Sequence, residues 1–263
     1  MLPFFRSFLL LKSNPGKRLF CGGVTVNQRL RLRFSLLLVS GCCALIPSPV
    51  HAQLGGKAYQ QWTVKEAEGL LTNSPWAQTR AGLVSVGRLD PTTEIADTAV
   101  TISLLSALPV RQAQARLRQL KNRYDKKSDS DRAAIDSKNK SNLECPACAD
   151  YYVVAMSPGP GSQNGVPEFL TKISLADLKR SVRIKNELGE TRALAKFVNP
   201  RFYGDDALFF FSRLNSKGEP LIIPANLTLT VVFDADLFLW IPPALTKFEF
   251  DVAKMIVNGQ VAF

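Results

Sequence analysis

The chain has 263 residues, 46% apolar and 21% charged, which excludes both a mostly disordered chain and a protein of many membrane spans. Its formal charge of +11 suggests a nucleic-acid partner, but residues 1–52 hold seven of the bases and none of the acids. The remainder carries 26 bases against 22 acids, so removal of that leader removes most of the basicity.

Within the leader, Arg29-Leu-Arg-Leu-Arg33 precedes an apolar run from Phe34 to Ile46, then Pro47 and Val50-His-Ala52. A positive flank, a short apolar run and a small-residue ending are the three regions of a secretory signal peptide. The run is too short to span a bilayer, which needs about 20 residues. A second reading competes, because Val39-Ser-Gly-Cys42 resembles a bacterial lipobox with Cys42 as the lipidated residue. Only eight residues separate Arg33 from Cys42, so the longer run ending at Ala52 fits ordinary cleavage better. The sequence therefore predicts a signal peptide at 1–52 and a single domain at 53–263, exported to the periplasm or beyond. A membrane-anchored lipoprotein is the alternative.

Thr63-Val-Lys-Glu66 reads as a capping box opening a short helix that Asn73-Ser-Pro75 stops. From about residue 97 the apolar period becomes two. Thr98–Leu105, Tyr151–Ala155, Val182–Lys185, Thr191–Val198, Ala207–Phe211, Leu227–Phe233 and Leu245–Phe250 read as strands between Pro, Gly, Asn and Asp clusters. Glu187-Leu-Gly-Glu190 reads as a hairpin turn. Two helical insertions, near 109–140 and 174–181, interrupt the strands. In the first, Val110, Ala113, Leu117, Leu120 and Tyr124 form one narrow apolar stripe behind Pro109; in the second, Ser174 caps Leu175–Arg180. The predicted fold is mainly β: an antiparallel, immunoglobulin-like β-sandwich with a short N-terminal helix.

Three stretches form a recognisable set: Ser74-Pro-Trp-Ala77, Ser106–Ala113 and Phe250–Gly259. They resemble a family of uncharacterised exported proteins from soil bacteria, and the likeness covers most of residues 60–263. It departs where relatives often carry a base after the final glycine; Gln260 stands there. The resemblance implies export and a shared architecture, and it supplies no activity, cofactor or catalytic residue.

Outside the leader the cysteines are Cys145 and Cys148, in Cys-Pro-Ala-Cys. Thioredoxin-type pairs follow a strand and open a helix, whereas here a polar stretch precedes the pair and a strand follows. A structural disulfide or two inert thiols is the favoured reading, with a thiol-disulfide oxidoreductase as the alternative. His51, the single histidine, lies in the leader, so Ser-His-Asp, Cys-His and His-based metal chemistry are not expected. Carboxylate chemistry would fall to Asp205-Asp206, Asp234/Asp236 or Glu249/Asp251, pairs at strand ends where Asp commonly binds its own backbone. No catalytic, cofactor or metal site is predicted.

Residues 109–140 hold ten bases against four acids. Arg111, Arg116, Arg118, Lys121 and Arg123 are predicted to face water as a patch for an anionic envelope component or another envelope protein. Contact with a membrane would be peripheral. No aromatic residues interleave with these bases, so nucleic acid is not expected. The run Leu237–Pro243 is read as a cover for the open end of the sandwich.

Overall fold

Thr63 stops the chain in an extended conformation and starts α1 (Val64–Thr72). Its hydroxyl accepts from the Glu66 amide while the Glu66 carboxylate accepts from the Thr63 amide, so the capping box is complete. The chain then turns into β1 (Asn73–Ser74) and β2 (Ala77–Ser85). These elements come from a computed structural model that describes residues 56–85, 95–162, 168–202, 204–234 and 245–263.

Beyond β2 follow β3 (Ile95–Leu104), α2 (Leu108–Lys121), α3 (Asp129–Glu144), β4 (Tyr151–Pro158), α4 (Leu175–Ser181) and β5 (Val182–Asn186). Next come β6 (Thr191–Val198), β7 (Ala207–Ser212), β8 (Thr228–Phe233) and β9 (Lys247–Asp251). A small hairpin, β10 (Ile256–Val257) with β11 (Gln260–Val261), ends the described chain. Among the described residues no helix is long and apolar enough to cross a membrane.

All pairings are antiparallel, in the order β1-β2-β3-β4-β7-β6-β5-β8-β9. The protein is therefore mainly antiparallel β, as its alternating runs predict, with helices at 64–72, 108–121, 129–144 and 175–181. The nine strands make one curled sheet, where the expectation was two stacked ones. A bulge in β6 between Leu194 and Lys196 supplies part of the reason: an extra residue bends its strand and increases the local twist. β6 can then pair with β7 on one side and β5 on the other while the sheet turns over on itself.

Side chains on the concave face fill the curl. Ile102, Val154, Phe209, Phe211, Ile184, Val231, Phe248 and Phe250 alternate along their strands and are fully buried. Phe209 on β7 meets Phe233 on β8 edge to face at 5.5 Å, although β6 and β5 lie between those strands in the sheet. Only a strongly curved sheet permits that contact.

At one end of the sheet β2, which only the two-residue β1 flanks, approaches the last strand, β9. Gln78 on β2 donates its side-chain amide to the Glu249 carbonyl, and Arg80 donates to the Lys247 carbonyl at 2.6 Å. Both bonds fit one antiparallel register between β2 and β9, so side chains bridge a seam that, among the described residues, main-chain bonds do not close. The Arg80 guanidinium also lies 4.9 Å over the Phe248 ring.

The opposite face of β2–β4 is covered as well. Ala77, Thr101, Ser103, Val153 and Ala155 are buried there, and the Thr79 hydroxyl donates to the Thr72 carbonyl at the end of α1. Where β4 leaves this region, a Cβ on Gly159 would stand 2.5 Å from the Ala99 side chain and 2.8 Å from its carbonyl carbon. Glycine is required at this crossing because β3 and the end of β4 come too close for any side chain.

Candidate functional site

The insertion at 109–140 holds two helices, α2 and most of α3, and α2 touches α1 as well as α3. That position buries more of α2 than its apolar stripe. Arg111, Gln112, Arg116 and Gln119 are buried alongside Val110 and Ala113. Two of the five bases predicted to face water, Arg111 and Arg116, therefore do not. An apolar-stripe argument assigns every arginine to solvent, but a long side chain can bury its stem and take its donors to carbonyls inside.

Arg116 shows how. Its Nε donates to the Trp62 carbonyl at 2.8 Å, and its two Nη groups reach the Asp125 carboxylate at 3.3 and 3.4 Å. It fastens α2 to the segment before α1 on one side and to the short helical turn Tyr124–Lys126 on the other. Nearby, Asp136 on α3 accepts from the Tyr124 hydroxyl at 2.6 Å and the Gln119 side chain at 2.8 Å. The bond to Asp136, aided by burial, pushes the Tyr124 phenol up to about 12.

The other three bases stay outside. Arg118, Lys121 and Arg123 are exposed, as are Lys126 and Lys127 just beyond them. Among the described residues none of these five forms a salt bridge, while Asp125, the acid in their midst, is engaged by Arg116. The end of α2 is thus predominantly basic, with the exposed Asp125, held by Arg116, as the acid among the bases.

Cys145 and Cys148 are joined by a disulfide. Cys145 caps the C-terminus of α3 in the left-handed conformation, φ 43°, and Cys148 is buried against Val153 and Phe210. A catalytic thiolate benefits from the positive end of a helix; Cys145 sits at the negative end, opposite to the thioredoxin arrangement.

Two guanidinium groups bracket this disulfide loop. Arg111 donates Nη1 to the Leu143 carbonyl at 2.6 Å and Nη2 to the Ser106 carbonyl at 3.3 Å. Arg213 donates Nε to the Cys148 carbonyl at 2.7 Å and Nη2 to the Phe263 carbonyl. Its guanidinium lies 4.8 Å over the Tyr152 ring and 6.0 Å from the Phe263 ring. Burial, and for Arg111 also the nearby charge of Arg213, holds both below the usual arginine range. Nothing in the sequence marks Arg213, a lone base at the end of a strand.

The candidate carboxylates have local roles. Asp205 accepts from the Arg201 amide at 3.3 Å, and Asp206 accepts from the Ser157 hydroxyl at 2.6 Å. Burial pushes the Asp206 carboxyl up. Glu249 pairs with Lys247 at 2.6 Å, and Asp251 caps the Ala253 amide and pairs with Lys254 at 3.2 Å. The backbone amide of Asp234 donates to Ser181 at 2.7 Å. Asp236, the run Leu237–Pro243, Cys42 and the whole leader at 1–52 lie outside the described residues. Among the described residues no group of three His, Cys, Asp or Glu could hold a metal ion.

No family model, no curated protein and no solved structure matches this chain.

Proposed function

We propose that the chain is an exported, non-catalytic β protein that binds or scaffolds at the cell envelope, using the end of α2 to meet an anionic component. The observation that carries this reading is the exposure of Arg118, Lys121 and Arg123 without a salt bridge among the described residues. Exposed charges of one sign concentrate anions through a field that reaches about 8 Å at physiological salt. Export is supported by the leader at 1–52 and by the Cys145–Cys148 disulfide, a bond that persists in oxidising compartments. The resemblance to exported bacterial proteins points the same way. In fold terms, the facing halves of the curled sheet serve as the two layers of an immunoglobulin-like sandwich.

Sedimentation with anionic lipid vesicles tests the reading directly. The wild type should pellet at low salt and stay in solution at about 0.5 M salt. Replacing Arg118, Lys121 and Arg123 with glutamine should weaken binding roughly a hundredfold, since each base contributes about 1 kcal/mol, or about fivefold, at an anionic surface. Equal pelleting of both proteins, or of neither at low salt, would leave the helix end as a solvated face. Arg116→Gln is excluded from the variant because Arg116 is a structural clamp. The intact mass of the exported protein checks the leader: a start at Gln53 supports simple cleavage, and a lipidated start at Cys42 overturns it.

A further inference from the structure

A single exposed aliphatic side chain is ordinary, whereas a cluster of them marks a contact surface. Among the described residues seven large apolar side chains are exposed. Four of them, Leu188, Leu214, Ile223 and Leu227, lie on the β5–β6 turn and the β7–β8 connection. Hydrogen bonds lock these two loops together. Glu187 accepts from the Asn226 side chain at 3.0 Å and from the Thr228 amide at 3.2 Å, so the residues on either side of Leu227 hold the residue before Leu188. Asn226 in turn accepts from the Ile223 amide at 2.7 Å. The charges exposed on the same loops are Glu187, Glu190 and Glu219 against Lys217. None of the three carboxylates is in an ion pair among the described residues. The loops thus form one apolar crest with an acidic rim.

The crest and the basic end of α2 stand at different ends of the sheet. In the β6–β7 pairing Leu194 faces Phe211, which places the turn before Thr191 beyond the end of β7. Arg111, near the start of α2, feels the charge of Arg213 just after β7, while the charge of Arg118 is felt at Asp206 just before β7. α2 therefore runs back along β7 for about 20 Å, and its last turn lies away from the crest. We infer that the partner of the crest is a second copy of this chain: the crest of one copy docks on the basic end of α2 in the next. Charge complementarity selects that occupant, because unpaired acids on one surface meet Arg118, Lys121, Arg123, Lys126 and Lys127 on the other. Leu120 and Tyr124, half-buried among those bases, give the aliphatic side chains an apolar seat. The two surfaces differ, so the contact is heterologous and adds copies head to tail. The inference rests on the same exposed bases as the anionic contact proposed above, and names a second occupant for them.

Sedimentation velocity of the full chain at rising concentration is the test. At low salt the wild type should gain mass with concentration, and at about 0.5 M salt it should stay a single copy. Leu188→Asp with Leu227→Asp, at side chains 77% and 68% exposed, should keep the melting temperature and remain a single copy. The variant with glutamine for Arg118, Lys121 and Arg123 should remain single as well. Mixed in equal amounts, the two variants should form a complex of two copies and grow no further, since one supplies only the bases and the other only the crest. A wild type that stays single at low salt, a crest variant that still associates, or a mixture that stays apart overturns the inference. Vesicle pelleting separates it from the reading it rests on. Self-association that needs both surfaces, in a protein that does not pellet with anionic vesicles, would support the inference and strike the lipid contact alone.

Discussion

Arg116 is buried and holds two partners, the Trp62 carbonyl and the carboxylate of Asp125, which is itself exposed. Charge-assisted hydrogen bonds are worth about 1.5–3 kcal/mol, and a buried carbonyl left without a donor adds its own desolvation cost. Arg116→Ala is therefore expected to destabilise the protein by about 3 kcal/mol in chemical denaturation, whereas Arg118→Ala on the same helix should change stability by less than about 0.5 kcal/mol. Equal effects would mean that both are surface bases, as the sequence implies. Glu66 gives a pH dependence of definite sign. The Thr63 amide, then Lys57, hold its carboxyl at about 2, below the ordinary value of 4.5. A depressed folded pKa stabilises the fold fully above the unfolded value and loses that contribution as pH falls through the folded one. Melting temperature should fall as pH goes from about 4.5 to about 2, and Glu66→Gln should flatten that part of the curve. The effect will be small, because the carboxylate is exposed and water screens it.

At the scale of elements, the disulfide at the end of α3 closes a loop of four residues and is worth about 2 kcal/mol in the chain-entropy account. Replacing Cys145 and Cys148 with serine should lower the melting temperature by a few degrees and leave vesicle binding intact, a pair of results that would separate a structural bond from a functional one. Gly159→Ala should cost more than its single methyl suggests, since β3 or the end of β4 must shift to admit it. The elements differ in how plainly the sequence shows them, and the reason is physical in each case. β4, β5, β7 and β8 are legible because alternate positions enter the concave core and must be apolar. β2 escapes notice because its positions on that face include Gln78 and Arg80, which bind carbonyls across the seam and so erase the alternation. α3 escapes for a related reason. Among its residues only Asn139 is buried, so the helix has no apolar stripe to betray its period. The basic patch is half legible: composition locates the bases, but burial of Arg111 and Arg116 depends on neighbours that composition cannot place.

For the whole molecule, the curl of the sheet decides how the two edges are protected. An unpaired edge strand invites pairing with another chain, and here Gln78 and Arg80 occupy the Glu249 and Lys247 carbonyls instead. Removing both side chains, as Gln78→Ala with Arg80→Ala, should destabilise the fold by about 2 kcal/mol. Amide exchange should quicken in β9 and leave β4 and β7 protected; uniform quickening would show that the seam is no separate unit. The seam has a temporal consequence too. Gln78 and Glu249 are 171 residues apart, so the bond between them joins one of the first strands made to one of the last. A chain synthesised from its N-terminus, or threaded that way through a membrane, carries the part of β2 beyond its short pairing with β1 without β9 beside it for almost its whole journey. Binding of a holding chaperone to β2 during that interval would cover an edge that the finished protein covers only when β9 arrives.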